Sequence, residues 1–121
     1  MLLDTTFFID LEDELRATKP GRCAAFLRGH RHVTKHVSVI TIGEFAAGAP
    51  AAATLRFFRG YQRLSLGRDL AIFGGRLQAS LDFEIGENDL WIAATAKFHG
   101  LPLVSRDKVF PLIPGLKVIS Y

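Results

Sequence analysis

At 121 residues the chain is large enough for one hydrophobic core and too short for two, so one domain is expected. The lone Cys23 excludes an intrachain disulfide and a multi-cysteine zinc site, and no uninterrupted apolar stretch approaches the roughly 18 residues of a membrane span. Fifteen Lys and Arg, ten of them Arg, against twelve Asp and Glu give a net charge of +3, which admits nucleic acid or an acidic partner.

A hydrophobic fraction of 49% and a mean hydropathy of +0.21 are high for so small a protein, and imply that a partner or a second copy covers some apolar surface. The start Met-Leu-Leu-Asp lacks the basic-then-apolar layout of a signal peptide, so a cytoplasmic protein, neither cleaved nor inserted in a membrane, is expected.

Met1 to Leu3 predicts a short buried strand closed by Asp4, and Thr5 to Arg16 has helical spacing through Phe8, Ile9, Leu11 and Leu15. After Pro20-Gly21, Arg22 to Gly29 predicts a second helix, and the polar run His30-Arg31-His32 a loop. His36 to Ile40 predicts a buried strand, and Thr41-Ile42-Gly43-Glu44 matches the capping box that starts a helix. Ala51 to Leu64 predicts an amphipathic helix, with Arg63 to Leu66 open to a short strand instead. Asp69 to Phe83 predicts a further helix despite Gly74-Gly75. That pair implies a bend or a close approach by another backbone, a dimer contact being one candidate.

Asp89 to Phe98 is apolar almost all round, which predicts a central buried helix. Leu101 to Val104 predicts a strand, Arg106 to Leu112 a turn or short helix, and Leu116 to Ile119 a last strand. Strands alternating with helices imply an α/β fold with a mostly parallel central sheet and helices on both faces.

In such a sheet, ligands bind outside the carboxyl ends of the strands. Asp4 follows the first strand, Glu44 lies four residues past Ile40, Asp107 lies three past Val104, and Asp89 opens the buried helix, so all four can reach one edge. Four ionised carboxylates in one crevice repel one another unless protons or cations neutralise them. Oxygen ligands without cysteine favour Mg²⁺ or Mn²⁺ over zinc, and Mg²⁺ keeps waters and meets substrate phosphates, the chemistry of phosphodiester hydrolysis.

These residues carry a resemblance. LLDT at the start, a strand followed by ITIGEF, then ENDLWIAATA and LPLVSRDKVFPLIPGLKVISY resemble the successive motifs of PIN domains from end to end. Over residues 85 to 121 the order and spacing resemble the VapC-like branch, the toxin half of toxin–antitoxin pairs. The resemblance implies a three-layer α/β/α PIN-like sandwich and an endoribonuclease in which Asp4, Glu44, Asp89 and Asp107 bind one or two Mg²⁺ or Mn²⁺ ions. The metal would lower the pKa of a bound water and leave products with 5′-phosphate and 3′-hydroxyl ends. It also implies a VapB-like antitoxin as partner, an RNA substrate, and a homodimer within a larger assembly. Thr5 resembles the small polar residue that follows the first Asp in many PIN domains, and Ser105 stands where family members often place Thr. Glu87 and Asn88 flank the third acid, and Glu87 is a candidate to support metal-bound water. The short segment between Glu44 and Asp89 departs from the usual pattern and leaves little room for elaborate substrate loops.

Outside that set, Arg56, Arg59 and Arg63 recur at helical spacing and suggest a stripe for RNA phosphates or an acidic stretch of antitoxin, against the plainer reading of a solvated helix face. His30, His32 and His36 fit a polar loop better than a zinc site, and Phe7, Phe8 and Trp91 fit core or interface. Asp10, Glu12, Asp13 and Glu14 fit a mostly solvated helix surface near the site entrance.

Each acid taken singly also has a structural reading: Asp4 and Asp89 as N-caps, Glu44 as the capping-box partner of Thr41, Asp107 as a turn residue. Two other functions stay in view. One is a flavodoxin-like phosphoreceiver, which would want paired acids after its first strand, where Asp4 is followed by Thr5-Thr6. The other is a PIN-like subunit that binds RNA without cutting it.

Overall fold

A computed structural model describes residues 1–121. In chain order the elements are β1 (Leu2–Leu3), α1 (Thr5–Arg16), α2 (Arg22–Gly29), β2 (His36–Ser38), α3 (Val39–Ala46), α4 (Ala51–Phe57), β3 (Gln62–Leu64), α5 (Arg68–Ser80), α6 (Glu87–Phe98), β4 (Leu103–Val104), a short 3₁₀ turn (Phe110–Leu112) and β5 (Val118–Ile119). All five strands are parallel, in the order β3-β2-β1-β4-β5, with Leu2 opposite His36 on one side and Leu103 on the other. A flavodoxin-like sheet runs 2-1-3-4-5, so the strand order removes the phosphoreceiver alternative.

The strands are two or three residues long, yet they divide the core cleanly because successive side chains point to opposite faces. Leu2 and Leu103 face one cluster with Leu70, Leu77, Ile92 and Ala94 of α5 and α6. Leu3, Val37 and Val104 face the other, with Phe7, Phe8, Cys23 and Phe58. No helix is long and apolar enough to cross a membrane.

The expected helices and strands form with several ends moved: the helix expected over Asp69 to Phe83 runs Arg68–Ser80, and the last two strands shorten to Leu103–Val104 and Val118–Ile119. The strand expected over His36 to Ile40 stops at Ser38, whose hydroxyl accepts the Ile40 N–H at 3.1 Å and caps α3. This local bond overrides the strand preference of Val39 and Ile40. Thr41 is therefore inside the helix, and the capping box expected for Thr41 and Glu44 does not exist. The helix expected over Ala51 to Leu64 ends at Phe57, and the short strand left open over Arg63 to Leu66 forms as Gln62–Leu64, paired with His36–Ser38. Arg56, Arg59 and Arg63 thus lie on a helix end, a turn and a strand, not on one helical stripe.

At Gly74-Gly75 the neighbour is a side chain of the same chain, not the second backbone that was expected. A Cβ at Gly74 would lie 2.4 Å from Trp91 Cζ3, so hydrogen is all that α5 can present to the α6 indole, while nothing stands within 4 Å of a Cβ at Gly75. Finally, α6 starts two residues earlier than expected, with Gly86 as its N-cap and Asp89 as its third residue, so Asp89 is not a cap.

Candidate metal centre

The parallel strands bring several chain segments to one edge of the sheet. Asp4 leaves β1 in extended conformation and caps α1, its Oδ1 accepting the Phe7 N–H at 2.9 Å. Its other oxygen accepts the hydroxyl of Ser105, which directly follows β4. The Ser105 Oγ also accepts the Asp107 N–H at 3.0 Å, and Asp107 Oδ1 accepts the Val109 N–H at 3.0 Å. One serine therefore ties the loop after β4 to the acid after β1. On α3, Glu44 Oε1 accepts the Thr5 hydroxyl at 2.7 Å.

Asp4 is only 3% exposed. Burial pushes its carboxyl up to about 6 from an ordinary 3.8, against the pull of the Ser105 and Phe7 bonds, and the charges of Asp107 and Asp89 push in the same direction as burial. Asp89, half-buried in the first turn of α6, is raised by burial and then by Asp107 and Glu44. The expected Asp4, Glu44, Asp89 and Asp107 thus form one electrostatically connected set. Asp4 is a cap as well as a member of it, and Asp107 is also the turn residue that its sequence position suggested.

The donor set is all oxygen and mutually repulsive, which fits a hard divalent cation such as Mg²⁺ or Mn²⁺. In this conformation no three His, Cys, Asp or Glu side chains gather tightly enough to hold an ion, so the carboxylates would have to draw closer around one.

Among the second-tier expectations, Thr5 and Ser105 each bond one of the four carboxylates. Glu87 is exposed at the start of α6 and joins none of these bonds. Arg56, Arg59 and Arg63 are exposed and unpaired, and Arg59 and Arg63 line a groove of about 180 Å³ with Ile42, Leu55 and Phe58. Beside Ser105 and Asp107, a cleft of about 320 Å³ is bordered by Arg106, Lys108 and Ser120. A roomier cleft of about 550 Å³, between Phe73, Arg76 and Lys97, contains none of the four carboxylates. His30 and His36 bond the Phe26 and Met1 carbonyls at 2.7 and 3.2 Å and gather no metal-binding group.

The helix surface expected for Asp10, Glu12, Asp13 and Glu14 is not simply solvated. Asp10 Oδ2 accepts the Tyr121 hydroxyl at 2.7 Å and faces Arg106 at 3.4 Å, and the Arg106 guanidinium lies 5.7 Å from the Tyr121 ring centre. This cluster pins the residue between Ser105 and Asp107 to α1. Its partners lie up to 111 positions apart in the chain, so no local pattern announces it. Glu14 accepts the N–H groups of Gly21, Cys23 and Ala24 at 2.7, 2.9 and 3.1 Å and caps α2 from a neighbouring helix. Burial alone would raise its carboxyl, but the Cys23, Ala24 and Gly21 bonds outweigh that and hold it below the ordinary value.

Known proteins place this architecture. Residues 1–116 match the PIN domain family. The chain is 31% identical over 135 residues to Ribonuclease VapC4 of Mycobacterium tuberculosis, covering 98% of this chain and 95% of that protein. Among solved structures it resembles a chain of VapBC2 from Rickettsia felis, bound to a promoter DNA fragment, with a TM-score of 0.82 and 21% identity over 98% of this chain and 96% of that one. A toxin–antitoxin complex from Klebsiella pneumoniae contains a similar chain, with a TM-score of 0.73 and 27% identity over 98% and 94% of the two chains.

Proposed function

The chain belongs to the PIN-domain family and to its VapC-like ribonucleases, and from that premise we propose that residues 1–121 form one PIN-like domain acting as a metal-dependent endoribonuclease, the toxin of a toxin–antitoxin pair, in the cytoplasm. The observation that carries the reading is the buried Asp4 carboxylate, tied through the Ser105 hydroxyl to the loop that carries Asp107 at the carboxyl edge of the sheet. A carboxylate so disfavoured by its surroundings is one that a divalent cation relieves.

Asp4, Glu44, Asp89 and Asp107 would hold Mg²⁺ or Mn²⁺. When bound, the ion supplies charge neutralisation for an approaching phosphodiester and a lowered pKa for water. The residues of the chain do the rest. Asp4, fixed at both oxygens by Phe7 and Ser105, sets one side of the site with little freedom to move. Ser105 holds the Asp107 backbone against it. Arg106 and Lys108, bordering the adjacent cleft, supply positive charge along an RNA backbone leaving the site, and Arg56, Arg59 and Arg63 supply it on the α4–β3 side.

An antitoxin and a second copy of the chain are the expected partners. Leu15, Leu55, Ile72 and Leu112 stand more than half exposed, apolar surface of the kind that partners cover. The test is to map new 5′-phosphate RNA ends in cells briefly expressing the wild-type chain, with Asp4→Asn as control. Discrete ends with wild type alone support the nuclease and identify its substrate. Their absence with intact, antitoxin-free protein overturns it in favour of an RNA-binding subunit.

A further inference from the structure

Thr41 is wholly buried at the third position of α3. A buried threonine within a helix ordinarily spends its hydroxyl on the carbonyl one turn back. Thr54 does so with Pro50 at 3.1 Å, and Thr95 with Trp91 at 2.6 Å. Thr41 does not. Its hydroxyl leaves α3 and meets the Thr5 hydroxyl of α1 at 2.9 Å.

The direction of that bond follows from the next one. The Glu44 carboxylate can only accept, so the single hydroxyl proton of Thr5 is committed to Glu44 Oε1. Thr5 Oγ1 then has only lone pairs to offer, and Thr41 must be the donor. The chain of bonds runs Thr41 to Thr5 to Glu44, from a fully buried start to an exposed end.

We propose that Thr41 is a positioning residue for the metal centre: by donating to Thr5 it orients the Thr5 proton on Glu44 and holds that carboxylate against the N-terminus of α1, the helix that Asp4 caps. The inference rests on the reading of the four carboxylates as a metal site. Glu44 is exposed and has no other hydrogen-bond partner, so this relay is what restricts its long side chain. Thr5 is the residue after Asp4, so the relay sets the placement of Glu44 relative to Asp4 and not merely to α3. Thr41 and Glu44 are three residues apart, on neighbouring positions of one helix surface, which lets both reach the same threonine.

The test is Mn²⁺ titration of the full chain, free of antitoxin, followed by electron paramagnetic resonance of the free ion. Outer partners of metal ligands typically matter 10- to 100-fold, so Thr41→Val, which keeps the shape and removes the donor, weakens Mn²⁺ binding about tenfold, and Thr41→Ser restores it to within about twofold of wild type. Combining Thr41→Val with Glu44→Gln weakens binding no further than Glu44→Gln alone, because the relay acts through Glu44. Wild-type affinity in Thr41→Val, equal losses in Thr41→Val and Thr41→Ser, or fully additive losses in the double variant would each overturn the relay. If Thr41→Val does not fold, Thr5→Val interrupts the same chain of bonds and is read in the same way. Asp4→Asn separates the two levels. If it loses Mn²⁺ while Thr41→Val does not, the relay alone fails; if wild type itself takes up no Mn²⁺, the metal reading fails and the relay with it.

Discussion

Replacing Asp4 by Asn removes a charge from the most buried member of the site while keeping its shape and its capping oxygen for the Phe7 N–H. The Asp4 carboxyl titrates at about 6 in the folded chain against an ordinary 3.8. The folded state thus binds this proton more tightly than the unfolded state, so between the two values stability falls as pH rises. At 1.36 kcal/mol per unit, the shift amounts to about 3 kcal/mol of destabilisation, absent near pH 3.5 and fully developed above pH 7. Asn cannot ionise and escapes it, at a cost of about 1 kcal/mol for the rearranged Ser105 bond. In metal-free protein Asp4→Asn is therefore more stable than wild type by about 2 kcal/mol at pH 7.5, and equal or slightly less stable at pH 4. Urea denaturation in EDTA at the two pH values measures this as a midpoint shift of about 1 M at neutral pH, for a slope near 2 kcal/mol per molar. Adding Mn²⁺ raises the wild-type midpoint and leaves the variant where it was. A variant less stable than wild type by the same amount at both pH values would show that Asp4 is a helix cap and nothing more, and would refute the reasoning.

Gly74→Ala forces a methyl to within 2.4 Å of the Trp91 ring, and an expected loss of about 1–3 kcal/mol in urea or thermal unfolding is partly recovered by adding Trp91→Phe. Glu14→Gln places an amide donor against one of the three N–H groups it now accepts, costing about 1–2 kcal/mol at pH 7. Because the Glu14 pKa is depressed on folding, its contribution is present above its ordinary value of 4.5 and is lost as pH falls below it, so midpoints of variant and wild type converge in acid. Reversing Arg56, Arg59 and Arg63 to Glu weakens RNA binding at low salt in an Asp4→Asn background, measured by filter binding; unchanged affinity would remove these arginines from the RNA path.

The α/β class and the alternation of elements were legible in the sequence because they rest on short-range pattern, and so were the local roles of Asp4 and Asp107, whereas the local roles read for Glu44 and Asp89 did not hold. The apolar run of α6, the capping position of Asp4 after β1 and the turn signal at Asp107 are written within a few residues of themselves. The boundaries that failed did so where a local bond or a distant pairing overruled propensity: Ser38 captured the Ile40 N–H and started α3 early, and β2 drew Gln62–Leu64 out of the expected helix. What only the tertiary structure decided is which side chains share a partner. The Ser105 hydroxyl on Asp4 joins residues 101 positions apart, the Tyr121 hydroxyl on Asp10 joins residues 111 apart, and the Thr41 hydroxyl leaves its own helix for Thr5. Hydrogen bonds of that kind depend on how helices lie across a sheet, and sequence periodicity fixes which face of an element is apolar without fixing what its polar residues will meet.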